Sequence, residues 1–419
     1  MCSRDDTTYG TAHARVRVVI RHTVALVGLG LMLAGCASGR FGPNPDTEAP
    51  KGPHTLKQLS LEERQQVLQR AHVWQEIATS SLNLIQGPAL PAAMRIGRQT
   101  TCTFVFPSKP LTGLTPKFRC ALPPSPGLRG ASGTSDEVKV KYGEKNGEVY
   151  AEVAGSRLLW ALGFKADVMV PTQVTCRNCP ADPFAASTVD WQRGSPSEVS
   201  TRVFEPAIIE REVVGKAVEV PGYEGWAWPE LDQIRERGGP STPLRAGGAT
   251  RAQIDAFKLF AVFIQHSDSK PDQQEIVCAE WRKDARGNET CAAAWLVIKD
   301  LGGSFGKATR FNTSKMTLAD WDGAGVWKDG PQCVGNLPRS VTGTLDDPAI
   351  SEAGRRFLAR RLNLLRDRQI RDLFTVSQVE KRGEEIAGAD GRKRPVTVDD
   401  WVRVFKRKRA EITSARCPA

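Results

Sequence analysis

The chain has 419 residues, of which 40% are hydrophobic and 25% are charged, and its formal net charge is +11. This length is enough for two packed lobes with a sizeable core, and the composition excludes collagen, a coiled coil and wholesale disorder. Basic clusters lie at 391–394 and 405–409. No nucleic-acid-binding motif accompanies them, so we interpret them as solvated helix faces and expect no nucleic-acid partner.

The first 35 residues are typical of an export signal. Three arginines within residues 15–21 precede an apolar run that is too short to span a bilayer comfortably and that ends in Leu-Ala-Gly-Cys at 33–36. These four residues resemble the lipobox of bacterial lipoproteins, in which the cysteine is lipidated. The resemblance implies a signal peptide over 1–35 and a membrane anchor on Cys36. Because Ala-Ser follows the cysteine, it also implies sorting to the outer membrane of the cell envelope, facing the periplasm; an ordinary cleaved signal or a short anchor is the alternative.

Export changes the interpretation of the ten cysteines. Eight remain once Cys2 is removed with the signal and Cys36 carries lipid, and an even number in an oxidising compartment indicates disulfides. The expected pairs are Cys102–Cys120 and Cys278–Cys291, each around a predicted hairpin, Cys176–Cys179 in a CxxC loop, and the remaining Cys333–Cys417. A redox CxxC and a zinc site are the alternatives, but no thioredoxin-like pattern and no second CxxC or histidine pair at ligand spacing is present.

Residues 36–58 are rich in proline and glycine and predict a flexible tether. A capping-box pattern at Ser60–Glu63 predicts a helix that continues to about residue 80. This helix opens an N-terminal helical segment over 59–95.

The next segment alternates in hydrophobicity and then becomes helical. The alternation predicts strands at 100–106, 116–122 and 137–143. A helix follows over about 149–162 and ends at Gly163, since glycine readily adopts the left-handed conformation of a helix C-terminus. Together these elements predict a small α+β lobe over 96–199.

The composition shifts near residue 200. Residues 200–245 contain several prolines together with Trp226 and Trp228, and we predict that this segment is irregular. A strongly amphipathic helix is predicted at 250–265. A hairpin follows at 274–281 and 292–300, and helices are predicted at 351–365, 367–374 and 397–412. The whole of 200–419 is therefore predicted to be a larger, mostly helical lobe.

Two polar motifs flank the predicted hairpin. Residues 265–274 read QHSDSKPDQQ, and residues 296–306 read LVIKDLGGSFG. The first is similar to the HRDLKPEN catalytic loop of protein kinases, and the second resembles the DxGxxF metal motif of atypical kinases. Residues 152–164, EVAGSRLLWALGF, resemble a helix of HipA-like kinases, secretory-pathway kinases and phosphatidylinositol 4-kinases.

The resemblance implies a two-lobed protein-kinase-like fold of the α+β class, with a small β-rich N-lobe that contains one helix and a larger, mostly helical C-lobe. It also implies ATP and Mg²⁺ as cofactors. Asp268 would position or deprotonate an acceptor hydroxyl, and Lys270 would steady the transferring phosphoryl group. Asp300 and Gln273 would bind Mg²⁺, with Gln274 as the alternative amide.

The lysine that binds the phosphates should lie on a strand. Lys139 and Lys141 both lie on one face of the strand at 137–143, so alternation cannot choose between them. Glu152 on the following helix is the acid expected to orient the lysine, and Glu148 is the alternative.

No clear glycine-rich loop precedes these lysines. Residues 111–118 and 127–133 are both candidates for that loop. The resemblance predicts an envelope lipoprotein that carries out Mg-ATP-dependent phosphoryl transfer, and the alternative is an inactive pseudokinase-like scaffold or binding lipoprotein.

Overall fold

The computed structural model describes residues 57–90, 94–123, 137–213, 215–220, 222–237, 247–283, 287, 289–311, 316–388 and 391–418. The predicted signal peptide, Cys36 and most of the predicted tether lie outside these residues. Within the described ranges, no helix is long and apolar enough to cross a bilayer.

The chain combines α-helices and β-strands, as predicted. The helices are α1 (Leu61–Gln69), α2 (Gly147–Leu162), α3 (Pro183–Ser187), α4 (Arg251–Phe263), α5 (Leu318–Gly323), α6 (Glu352–Asn363), α7 (Asp367–Val376) and α8 (Val398–Ser414). The strands are β1 (Lys57–Gln58), β2 (Thr100–Val105), β3 (Lys117–Ala121), β4 (Glu137–Tyr142), β5 (Lys165–Ala166), β6 (Val168–Pro180), β7 (Val199–Arg211), β8 (Lys216–Glu219), β9 (Gln274–Lys283), β10 (Glu289–Ile298), β11 (Trp327–Asp329), β12 (Val334–Gly335), β13 (Glu385–Ala387) and β14 (Lys393–Pro395).

Five strands close into a barrel in the order β2-β3-β4-β7-β6. The β2–β6 pair is parallel and the other pairs are antiparallel. Apolar side chains that include Phe118, Val140 and Ile209 fill the interior. The alternation in the sequence therefore buries one face of each strand inside the barrel.

Strands β6 and β7 were not predicted, and the prediction that 200–245 is irregular throughout is wrong for β7. Both strands contain proline, which lacks a backbone N–H and is rarely found within a strand. Pro206 lies in β7 where the pairing with β6 is interrupted between Thr172 and Val174. The register shifts at this point and leaves Pro206 without a partner in β6, so the proline is accommodated without loss of the strand.

Helix α2 contacts β6 on the outside of the barrel. It begins at Gly147, where the side chain of Asn146 accepts the N–H of Glu148, and it ends at Gly163 with a φ of +94°. The predicted end of this helix is confirmed.

The second sheet has the strand order β1-β8-β9-β10-β5. Its centre is the predicted hairpin, β9 and β10, in antiparallel register from Gln274↔Ile298 to Lys283↔Glu289. Helices α4, α6, α7 and α8 contribute to a large apolar core around Trp321, Phe374 and Trp401.

Helix α1 is shorter than predicted. Ser60 and Glu63 form the predicted capping box, but the helix ends at Gln69 and not near residue 80. The chain then pairs with β10: the His72 N–H donates to the Ala294 carbonyl, and the Leu296 N–H donates to the His72 carbonyl. This tertiary pairing overrides the local helical pattern.

The described residues contain four disulfides, and the prediction of disulfide bonds is confirmed. They join Cys102 to Cys120 between β2 and β3, Cys176 to Cys179 within β6, Cys278 to Cys291 between β9 and β10, and Cys333 to Cys417. The last bond attaches the C-terminal segment to the turn between β11 and β12.

Candidate functional site

Lys141 of β4 lies among three carboxylates. Its Nζ forms an ion pair with Glu152 and lies 3.1 Å from Glu148 Oε2 and 3.2 Å from Asp300 Oδ2. The side chain of Lys141 is 1% exposed and that of Glu152 is fully buried. The structure therefore brings a predicted lysine, both candidate helix acids and the predicted metal-binding acid together in one cluster.

Local structure explains why these acids meet. Glu148 and Glu152 are four residues apart on α2, so their side chains lie on the same helix face. Asp300 follows β10, and its Oδ1 accepts the N–H of Gly302 at 2.8 Å. A methyl group on Gly302 would lie only 2.4 Å from Glu148 Cγ, so glycine is required for this close approach.

The two lysines of β4 have different partners. Lys139 forms an ion pair with Glu210 of β7, with Nζ 2.6 Å from Oε1, and its side chain is 30% exposed. Only Lys141 of the two contacts Glu152 and Asp300 directly. Cross-strand pairing, which a single strand cannot reveal, separates the two candidates.

The charges in the cluster depend on one another. Burial lowers the pKa of Lys141, but Asp300, Glu152 and Glu148 outweigh that effect and hold the pKa well above its usual value. Burial raises the pKa of Glu152 well above its usual value against the opposing charge of Lys141. Burial alone would raise the pKa of Asp300 as well, yet Lys141 and a hydrogen bond with Glu152 hold it well below its usual value. The ammonium of Lys141 and the carboxylate of Asp300 are therefore charged at neutral pH.

The QHSDSKPDQQ loop follows α4 and is held against the segment after β10. The Ser267 N–H donates to the Gly303 carbonyl at 2.9 Å, and the Phe305 N–H donates to the Ile264 carbonyl at 2.6 Å. His266 is buried, and its Nδ1 lies 3.2 Å from Ser304 Oγ. The two sequence motifs thus form one bonded unit.

Asp268 and Lys270 form an ion pair in this loop, with Nζ 3.5 Å from Oδ1. Burial raises the pKa of Asp268 to about 6; Lys270 opposes the shift, whereas Asp300 and Asp272 add to it. Ser267, the residue before Asp268, is bonded to Gly303, so the loop carboxylate lies close to the segment that carries Asp300. A carboxylate whose pKa lies near the working pH is suited to accept a proton.

The two amides of the loop are in different environments. Gln273 lies in the turn Pro271–Gln273, and its carbonyl accepts the N–H of Lys299 at 3.0 Å, directly before Asp300 in sequence. Gln274 at the start of β9 is fully buried, and neither polar atom of its side chain has a hydrogen-bond partner among the residues that the structure describes. A metal-binding role for either amide stays a prediction.

The turn between β2 and β3 lies at the same site. Thr115 Oγ1 donates to Glu148 Oε2 at 2.8 Å, and Gly113 has a φ of +87°. Of the two candidate glycine-rich loops, the one at 111–118 is therefore placed beside the cluster, and the one at 127–133 lies outside the described residues. Lys117, which follows this turn, was not among the predicted residues; its position opposite Lys141 becomes visible only once the β3–β4 register is known.

Comparison with known proteins provides little further information. No protein-family model and no curated protein matches the chain. A crystal structure of the Helicobacter pylori proinflammatory kinase CtkA is similar, with 10% sequence identity and a TM-score of 0.35 over 75% of this chain and 92% of that chain. At that TM-score the likeness establishes neither a shared fold nor a shared activity.

Proposed function

We propose that the chain is an atypical, two-lobed kinase-like phosphotransferase that transfers a phosphoryl group from Mg-ATP to a hydroxyl acceptor. The observation that carries the proposal is the contact of buried Lys141 with both Glu152 and Asp300. Phosphoryl transfer requires a lysine on the phosphates, an acid that orients it and an acid that binds metal. Three separate elements supply these groups at one point.

The donor atoms of the cluster fit a magnesium ion. One carboxylate oxygen from each of Glu148, Glu152 and Asp300 lies within 4.8 Å of the others, and Mg²⁺ prefers oxygen ligands. The low pKa of Asp300 keeps this ligand ionised. When bound, Mg²⁺ would neutralise charge on the phosphates. The carboxylates carry more negative charge than Lys141 alone balances, which favours a cation there.

The other residues have distinct tasks in this proposal. Lys141 holds the phosphates of the donor, and Glu152 keeps its ammonium group in place. Asp268 accepts the proton of the acceptor hydroxyl, since burial brings its pKa to about 6. Lys270 lies beside this carboxylate and contributes positive charge where the phosphoryl group passes.

The proposed location is the bacterial cell envelope, with the chain anchored by lipid on Cys36 and facing the periplasm. The lipobox pattern at 33–36 and the disulfides support this location. Cys36→Ser should yield an unprocessed or soluble product that takes up no labelled fatty acid. Equal labelling of the wild type and the variant would rule out Cys36 as the lipidation site.

The test of function is the thermal stability of the chain with ATP and Mg²⁺, followed by a turnover assay. A ligand at one hundred times its Kd should add about 2.7 kcal/mol of stability to the wild type. Asp300→Asn should abolish the Mg²⁺-dependent part of that gain. Asp268→Asn should retain it and lose turnover by on the order of 10²-fold or more. Asp272→Asn, in the same loop, is the matched control. It should change the stabilisation by Mg-ATP and the turnover rate much less than the other two substitutions do.

A second candidate function is a pseudokinase-like scaffold that binds nucleotide without turnover. Gln273 favours it, because this amide is one methylene longer than the asparagine at the matching position of kinases. Nucleotide stabilisation without turnover in the wild type would support the scaffold. No stabilisation at millimolar ATP and Mg²⁺ would refute both candidates.

A further inference from the structure

Lys117 is directly opposite Lys141 in the antiparallel β3–β4 pair. Directly opposed residues project their side chains to the same face of a sheet. The side chain of Lys141 reaches the acid cluster, so Lys117 faces the same side. The turn at 111–116 lies close to it, since a methyl group on Gly113 would come within 2.7 Å of Lys117 Nζ.

Two like charges opposed across a strand pair are unfavourable unless other charges compensate them. Lys141 is compensated by its three carboxylates. Among the described residues, the ammonium group of Lys117 has no hydrogen bond or ion pair of its own. Burial lowers the pKa of Lys117 most, and the charge of Lys141 lowers it next. Glu148 and Asp300 raise this pKa, whereas Lys139 lowers it, and the net shift is downward. The protein thus holds a second, largely buried cation on the same face of the sheet as Lys141.

We propose that Lys117 is a second cation of the phosphate site and binds an oxygen of the ligand's phosphate chain between β3 and the turn at 111–116. The proposal rests on the proposed function and deepens it. An anion beside Lys117 would compensate its ammonium group, as the three carboxylates compensate that of Lys141. The chain would then contact phosphate with a lysine at the position where a glycine-rich loop would offer backbone N–H groups.

The test measures the affinity of the full chain for magnesium tripolyphosphate and for Mg-ATP by titration calorimetry. Lys117→Met should weaken tripolyphosphate binding about 10- to 100-fold, the range for loss of one charge-assisted hydrogen bond. Lys109→Met is the matched control, because Lys109 is exposed and precedes the same turn; its affinity should equal that of the wild type. Equal affinities of Lys117→Met and the wild type would refute the proposal.

A pH series separates direct binding from a structural role. Because the pKa of Lys117 is lowered, the wild type should lose affinity for tripolyphosphate as the pH rises from 7 toward its ammonium pKa. Lys117→Arg should bind at pH 7 and keep its affinity at higher pH, because arginine stays charged. Lys141, whose pKa is raised, stays charged over the same range. A wild type and Lys117→Arg with the same pH dependence would contradict direct contact.

The outcomes also separate this inference from the proposed function. Lys117-dependent binding of tripolyphosphate without any turnover of ATP would leave the anion site standing and refute the phosphotransferase. ATP turnover that is the same in Lys117→Met and the wild type would refute the anion site and leave the phosphotransferase standing. A wild type that binds neither probe would refute the anion site.

Discussion

Replacing Lys141 by methionine should leave Asp300 without the counter-charge that holds its pKa well below the usual value, whereas Glu152 already has a raised pKa in the wild type. Burial alone raises the pKa of Asp300, so this acid would escape the cost of a largely buried charge by binding a proton. That escape costs about 1.4 kcal/mol for each pH unit above the ordinary aspartate pKa near 3.9, or at most about 4.2 kcal/mol at pH 7 and about 1.5 kcal/mol at pH 5. The folded variant then binds more protons than the unfolded chain, so its stability falls as the pH rises.

The assay is urea unfolding of the wild type and Lys141→Met at pH 5 and pH 7. Lys141→Met/Asp300→Asn is the control, because a neutral amide needs no counter-charge; this double variant should recover most of the loss at pH 7 and show little pH dependence. The side chain of Asp300 is 25% exposed, so solvent compensates part of its charge and the loss should lie below these upper limits. A deficit equal at both pH values, or a double variant no more stable than Lys141→Met, would refute the reasoning.

Three further predictions concern other parts of the molecule. The turnover rate should fall about tenfold per pH unit below about 6, because Asp268 must lose its proton and its pKa is raised to about 6; a rate that is flat from pH 7 to 5 would exclude it as the base. Gly302→Ala should weaken Mg-ATP binding, since the added methyl group displaces Glu148 from Lys141; unchanged calorimetric affinity would contradict this. Replacing both Cys333 and Cys417 by serine should cost about 4–5 kcal/mol of unfolding free energy for a loop of this length, and a loss under 1 kcal/mol in urea would show that the bond constrains little.

Local patterns in the sequence were sufficient for elements that depend on their own residues. Helix α2 ends at Gly163 because glycine alone readily adopts φ +94° there. The sequence could not decide between Lys139 and Lys141, because their partners, Glu210 and Glu152, lie on other elements. Long-range pairing also accounts for the unexpected closure of the barrel by β6 and β7.

Lys117 shows the same limit within the candidate site. Nothing in its neighbourhood along the chain marks it, and it gains significance only through the β3–β4 register that sets it opposite Lys141. The loop motifs around Asp268 and Asp300, by contrast, were recognisable, because each keeps its spacing within a short segment.

Each disulfide joins a cysteine to the next one along the described chain. Eight cysteines allow 105 pairings, and this is the one in which every bond joins neighbours in sequence and none skips an intervening cysteine. If the chain is exported from its N-terminus, as proposed, each pair can be oxidised in order of appearance. We expect correct bonding to need an oxidant but no isomerase, so that loss of a disulfide-shuffling enzyme would leave the yield of this protein unchanged.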